Sequence, residues 1–223
     1  MKKNTLALLS AFVSMTALAQ ATIVVNLQAD LLKNELGTAA PMGSLAFLVA
    51  STTDATFASL TLGASTAVGS LVAGTDDYIV GRVPVNSWAD VGAFEAAFSS
   101  SGAGALNLSS IPGWNAGDPL ALVWIPALTS SSATIPANAR YGLFTRATAT
   151  ASDGSAAWIT PNDGSSISLA FVTQDGGIFS PGPTASNTPA SSRSTLTVVP
   201  EPATASLGLF GLAALCGFRR RRA

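Results

Sequence analysis

Apolar and polar residues along much of this chain alternate with a period of two, and the elements that pattern predicts are strands. From Thr22, Ile23, Val25, Leu27 and Ala29 fall on one side and Asn26, Gln28 and Asp30 on the other, as in a half-buried strand. Ser44–Ser51 is apolar on both faces, with Leu45, Phe47 and Val49 set against Ala46, Leu48 and Ala50, as a central strand covered from both sides requires. Leu120–Ile125 has no polar residue, runs up to Pro126 and reads as a fully buried strand. Asp76–Val85 sets Ile79, Val83 and Val85 against Tyr78, Val80 and Arg82, and Pro84, which has no N–H to donate, puts that end at a sheet edge. Further strands are predicted at Tyr141–Thr148, Ala157–Thr160, Ile167–Thr173 and Ser194–Val199.

Between the later strands stand Asp153-Gly154, Asp163-Gly164 and Asp175-Gly176, ten and then twelve residues apart. Asp-Gly readily takes the positive φ of a hairpin turn, so the spacing predicts an antiparallel meander. Helical spacing occurs at Ser87–Ser99, where Ser87 can cap, Asp90 lies in the first turn, and Trp88, Val91, Phe94 and Phe98 recur on one face. Thr56–Ser70 is so rich in Gly and Ala that a weak helix and a loop–strand mixture both fit. Gly113–Pro119 is turn-rich, and Gly177–Ser192, with Pro181, Pro183 and Pro189, reads as a long loop. The predicted body is all-β: a single antiparallel β-sandwich of roughly seven to nine strands, with a jelly roll among the orders that fit, and one short covering helix.

The two ends are of another kind. Met1-Lys2-Lys3 is a basic leader, Asn4–Leu18 is apolar, and Ala19-Gln20-Ala21 suits signal peptidase, with Ala17-Leu18-Ala19 as a second place to cut. Residues 1–21 are thus predicted to form a signal helix that is removed, leaving Thr22 as the first mature residue. At the other end Ala203–Phe218 carries no charge; its sixteen residues would span about 24 Å as a helix, just short of the ~30 Å hydrocarbon core of a bilayer. Pro202 suits the first turn of such a helix. Arg219, Arg220, Arg221 and Arg222 would hold the C-terminus on the cytoplasmic side and so place the body across the membrane. Residues 200–223 are therefore read as a transmembrane segment joined to a body over 22–199.

Pro200-Glu201-Pro202, a short apolar helix and a terminal Arg cluster resemble the PEP-CTERM sorting signal of exported bacterial proteins. The resemblance is confined to the tail. It implies recognition by an exosortase, a transpeptidase-like membrane enzyme acting near Pro200–Pro202, in a bacterium of Gram-negative type that makes exopolysaccharide. It also implies signal peptidase and the inner membrane as earlier partners, and a cell-surface or extracellular-matrix destination.

Charge changes the picture of the body. The chain has 11 basic and 12 acidic residues, but Lys2, Lys3 and the four terminal arginines belong to the signals and Glu201 to the sorting motif. That leaves Lys33, Arg82, Arg140, Arg146 and Arg193 against eleven acids, a body of net charge −6. Such a surface offers no basic patch to neutralise phosphates, which disfavours nucleic acid. No His occurs anywhere and Cys216 lies in the tail, so the body has no disulfide, no Ser-His-Asp or Cys-His machinery, and neither of the commonest zinc ligands. P-loop and dinucleotide-binding glycine patterns are absent.

What remains is carboxylate and aromatic chemistry. Two acids about 5–10 Å apart in a cleft can hydrolyse a glycoside, but the acids are scattered in turns and no pair stands out. Asp76-Asp77 and the three Asp-Gly turns have the oxygen ligands calcium takes, without EF-hand or nonapeptide spacing. Of the tryptophans, Trp124 and Trp88 read as core, whereas Trp114 and Trp158 lie beside turns, where exposed rings would stack on sugars. Asn107-Leu108-Ser109 matches a glycosylation sequon, which means little in a bacterial protein. The preferred reading is a non-enzymatic exported protein with a structural or adhesive role and no cofactor. The alternatives are an exopolysaccharide-binding module and a carboxylate-dependent glycosidase.

Overall fold

The computed structural model describes residues 22–29, 31–85, 94–98, 106–146, 156–171, 194 and 196–198. Its strands are β1 (Thr22–Ala29), β2 (Ser44–Ser51), β3 (Leu71–Ala73), β4 (Asp77–Pro84), β5 (Phe94–Phe98), β6 (Leu106–Asn107), β7 (Leu120–Thr129), β8 (Arg140–Thr145), β9 (Ser166–Phe171) and β10 (Leu196–Thr197). Six of them form one sheet in the order β10-β8-β7-β2-β4-β3, all antiparallel. The smaller sheet is built on β1, which pairs antiparallel with β5 and β6 and parallel with β9. No α-helix occurs among the described residues. The predicted signal helix and transmembrane helix lie outside them, and none of the described residues forms a helix long and apolar enough to cross a membrane.

β1 alternates as its sequence dictates, with Ile23, Val25, Leu27 and Ala29 buried and the residues between them half-buried. β2 is buried at every position. Its even-numbered side chains Ala46, Leu48 and Ala50 face an inner core between the two sheets, with Leu122 and Trp124 of β7, Phe144 of β8, Leu169 and Phe171 of β9 and the apolar side of β1. Its odd-numbered Leu45, Phe47 and Val49 face an outer core with Val123 and Ile125 of β7 and Tyr141 of β8. That outer core is roofed by connecting chain rather than by a third sheet: Leu60, Ile135, Ala139 and Val198 supply the cover. The segment 56–70 is this roof, irregular apart from bridges Leu60↔Ala73 and Ser65↔Thr134.

Four expectations are corrected. Phe94–Phe98, the second half of the predicted helix Ser87–Ser99, is strand β5, paired with β1 through Val25↔Phe98, Leu27↔Ala96 and Ala29↔Phe94. A four-residue spacing of aromatics is common to a helical turn and to two strand repeats, and an open edge of β1 satisfies five backbone positions that an isolated short helix would leave half-paired. The sandwich is mixed rather than wholly antiparallel, because β9 lies parallel to β1 from Val24↔Ser166 to Ala29↔Phe171. This parallel pair also departs from a jelly roll, whose strands run antiparallel. Nor do the later strands form a meander: β8 belongs to the large sheet, β9 to the small one, and β10 returns to the edge of the large one beside β8. Ala157–Thr160 makes only the single bridge Pro119↔Ile159. Finally, Ile79 does not share a face with Val83 and Val85. A bulge pairs Leu48 with Gly81 but Val49 with Ile79, leaving Val80 as the extra residue, so Ile79 faces the outer core and Val80, Val83 and Val85 the inner one.

Two glycines fix how closely the layers approach. A Cβ on Gly81 would stand 2.6–3.0 Å from the ring of Phe98, so its absence lets β5 and the bulge of β4 pack together across the inner core. Gly142, opposite Trp124 in the β7–β8 ladder, leaves the space that the indole occupies.

Candidate functional site

The two rings expected to offer a sugar-binding face are both inside. Trp114 is 4 % exposed and Trp158 fully buried, and both belong to the inner core. Trp114 is held by its indole N–H, which donates to Thr160 Oγ1 at 2.8 Å. Trp158 stands edge-on to Phe144 at 5.0 Å between centroids, Phe144 packs on Phe171 at 4.3 Å, and Phe171 on Trp124 at 5.6 Å. Position beside a turn suggested exposure. The turns instead fold over the open end of the inner core and carry the rings into it, so no stacking platform forms from this pair. Trp124 is core, as expected, with its N–H on the Lys33 carbonyl at 3.1 Å; Trp88 lies outside the described residues.

The acids are more informative. Asp54, Asp76 and Asp77 gather around Ser51, at the end of the large sheet where β2 finishes and β4 begins. Ser51 Oγ donates to Asp76 Oδ2 at 3.2 Å and lies 3.5 Å from Asp54 Oδ1. Asp54 Oδ1 accepts from the backbone N–H of Thr56 at 2.6 Å and from its hydroxyl at 2.8 Å, and these bonds hold its carboxyl below the usual range. Asp77 Oδ2 accepts from Ala58 N–H at 2.8 Å, while its Oδ1 is buried without a partner. Burial first, and then the like charges of Asp76 and Asp54, push the Asp77 carboxyl up to about 6. Asp118, at the neighbouring start of β7, accepts from Asn115 N–H at 2.7 Å, and burial raises its carboxyl.

A carboxyl titrating near 6 is suited to general acid–base work, but Asp77 is only 1 % exposed and is bound to the segment 56–58 that roofs the outer core. Its geometry is that of a clamp. Among the described residues no group of three or more acidic, His or Cys side chains is arranged to hold a metal ion. Of the Asp-Gly turns considered for calcium, Asp153-Gly154 and Asp175-Gly176 lie outside the described residues, while Asp163-Gly164 is a turn with Gly164 at φ +73°. Asp163 Oδ1 accepts from the N–H of Thr22 at 2.8 Å and thereby ties the start of β1 to the start of β9. Sequence reasoning did not find that contact, because nothing in a pattern of turns says which distant strand a turn will touch. Asn107 likewise serves locally: its Oδ1 caps the short 3₁₀ turn Leu108–Ser110 by accepting from Ser109 N–H at 3.0 Å and Ser109 Oγ at 2.7 Å.

The signal-cleavage residues Ala19 and Ala21, the motif Pro200, Glu201 and Pro202, and Arg219–Arg222 lie outside the described residues. The structure does place the residues that lead into the motif. β10 is the edge strand of the large sheet, and Val198, which follows it, is buried in the outer core with its N–H on the Ala139 carbonyl at 3.2 Å.

Comparison with known proteins returns no match to the chain among curated proteins or among solved structures. Comparison with protein families matches residues 198–222 to the PEP-CTERM protein-sorting motif, a mark of exported proteins sorted by an exosortase. The match thus begins at Val198, the last of the described residues, and the chain carries a C-terminal PEP-CTERM sorting motif.

Proposed function

We propose that this is a non-enzymatic exported protein, delivered by an exosortase to the cell surface or extracellular matrix of its bacterium, where the β body has a structural or adhesive role. The observation that carries this reading is the sorting motif at residues 198–222, which begins on Val198 of the outer core. Supporting it, β1 starts at Thr22, the first residue expected after signal-peptide removal. The acids gathered around Ser51 accept hydrogen bonds from Ser51, Thr56 and the Ala58 N–H, which hold loops in place. With Trp114 and Trp158 buried, the polysaccharide-binding alternative loses the residues that motivated it. The reading assigns no cofactor.

Intact-mass and terminal-peptide measurement of the protein from cells tests it. The expected product starts at Thr22 and has lost Ala203–Phe218. In a strain without the exosortase the tail is retained and the protein stays in the membrane fraction. Recovery of the chain from the cytosol with Met1 and Ala223 both present overturns the reading.

A further inference from the structure

We propose that the end of the large sheet from which the chain leaves for its sorting tail is a membrane-facing surface, and that its partner is the phospholipid headgroup layer. This rests on the reading above in which Ala203–Phe218 enters the bilayer. β10 runs antiparallel to β8, pairing Leu196 with Tyr141 and Thr197 with Arg140, so the chain exits toward the 136–139 turn. Val198 is fixed there by its bond to Ala139 and by burial in the outer core. Four residues lie between Val198 and Ala203, and the five steps from one to the other reach at most about 18 Å when fully extended.

The same end of the sheet gathers the Pro41–Gly43 turn, the end of β4 at Pro84 and the whole β7–β8 connection, as the pairing of Ser44 with Thr129 and of Leu45 with Pro84 requires. Residues 41–43 and 126–139 contain no ionisable side chain, and Met42 is 63 % exposed. The charges reaching into this connection are cations. Arg82 donates to the carbonyls of Ser130 and Ser132 at 2.7 and 3.2 Å, and Arg140 donates to Thr197 Oγ1. The nearby 33–39 turn adds Lys33 and Glu35, one of each sign. Asp54, Asp76, Asp77 and Asp118 all lie at the opposite end, a strand length of about 30 Å away along β7, accompanied there by Arg146 over the Phe144 ring. These four acids thus lie remote from the tail exit while Arg82 and Arg140 lie beside it, the arrangement that an anionic lipid surface favours.

Single-cysteine variants of the full chain in a Cys216→Ser background test the orientation. Ala137→Cys and Met42→Cys carry a fluorophore at the exit end, Ala116→Cys and Thr53→Cys at the far end; all four positions are exposed. In phosphatidylcholine–phosphatidylglycerol vesicles containing a headgroup-nitroxide lipid, quenching is expected to be several-fold stronger at Ala137→Cys and Met42→Cys. Equal quenching at both ends, or stronger quenching at Ala116→Cys, overturns the proposal. The otherwise unaltered chain, labelled at Cys216, separates this failure from that of the anchor. Quenching of Cys216 by an acyl-chain nitroxide with no difference between the ends defeats the orientation alone. An unquenched Cys216 defeats both the anchor and the orientation.

Discussion

The two faces of the large sheet are buried equally well by different means. Inside, a second sheet supplies the cover, and the contact is a run of interlocked rings, Trp124, Phe171, Phe144 and Trp158, closed at one side by Phe98 against Gly81. Outside, the roof is connecting chain, with smaller side chains such as Leu60, Ile135 and Ala139, pinned by hydrogen bonds from loop N–H groups to Asp77 and to Tyr141. A sheet-on-sheet core is held by backbone ladders on both sides and has little freedom to close over a void. A loop roof can shift to fill one. The inner face should therefore be brittle and the outer face forgiving.

The largest effects test that contrast directly. Phe171→Ala removes a buried ring that β9 holds against Trp124 and Phe144 of the large sheet and should cost about 3–5 kcal/mol in urea unfolding. Leu60→Ala on the roof is expected near the low end of the ~2–5 kcal/mol range for such truncations, because segment 56–64 can settle. Equal losses would show the two covers to be mechanically alike. Next in size is Gly142→Ala, whose added methyl meets the Trp124 ring held by its ladder partner and by the Lys33 carbonyl. Overpacking of this kind costs about 1–3 kcal/mol. The loss should fall markedly in the Gly142→Ala, Trp124→Leu double variant relative to the sum of the single changes, which a double-mutant cycle in urea will measure.

The contrast also explains what could be read in the chain. β1, β2 and the buried part of β7 were legible because a strand covered by another sheet writes its environment into a period of two, and β2 writes both covers at once, Ala46, Leu48 and Ala50 for one and Leu45, Phe47 and Val49 for the other. The roof was not legible, since segment 56–70 follows the contour of the face beneath it and has no period of its own. β5 was misread because Phe94 and Phe98 satisfy two periods together, and only the open edge of β1 decides between them. The bulge at Val80 erased the alternation of β4 at one residue, which sequence cannot locate. Of the candidate sites, the tail was legible because membrane targeting is written in composition. Trp114 and Trp158 were not, because the path of a turn over a core depends on distant partners such as Thr160.

A smaller effect depends on pH. The Asp77 carboxyl is raised to about 6 in the folded protein from an ordinary value of 3.8, so the folded state holds this proton more tightly than the unfolded chain does. Its contribution is therefore most favourable below pH 4 and is lost as pH rises through 6. Unfolding free energy attributable to this group should fall by about 1–2 kcal/mol between pH 4 and pH 7.5, allowing for screening by solvent. Asp77→Asn keeps an acceptor for the Ala58 N–H and carries no charge. It should stabilise the protein at pH 7.5, do nothing of the kind at pH 4, and flatten the slope between them. A slope that survives the substitution would assign the titration to another group.

The smallest change probes the roof at its other pin. Leu60 N–H donates to the Tyr141 hydroxyl at 3.4 Å, a long bond between buried partners. Tyr141→Phe removes the acceptor and leaves the ring, so packing in the outer core is unchanged and only the N–H is orphaned. A neutral bond of this length is worth about 0.5–1 kcal/mol. If the roof is as compliant as its irregular course implies, the loss will sit at the bottom of that range, and amide exchange will quicken at Leu60 and its loop neighbours while β2 and β7 keep their protection. A loss near 3 kcal/mol, with exchange quickening across β2 and β7 as well, would mean that roof and sheet unfold as one unit, and the distinction between a brittle inner face and a forgiving outer one would have to be given up.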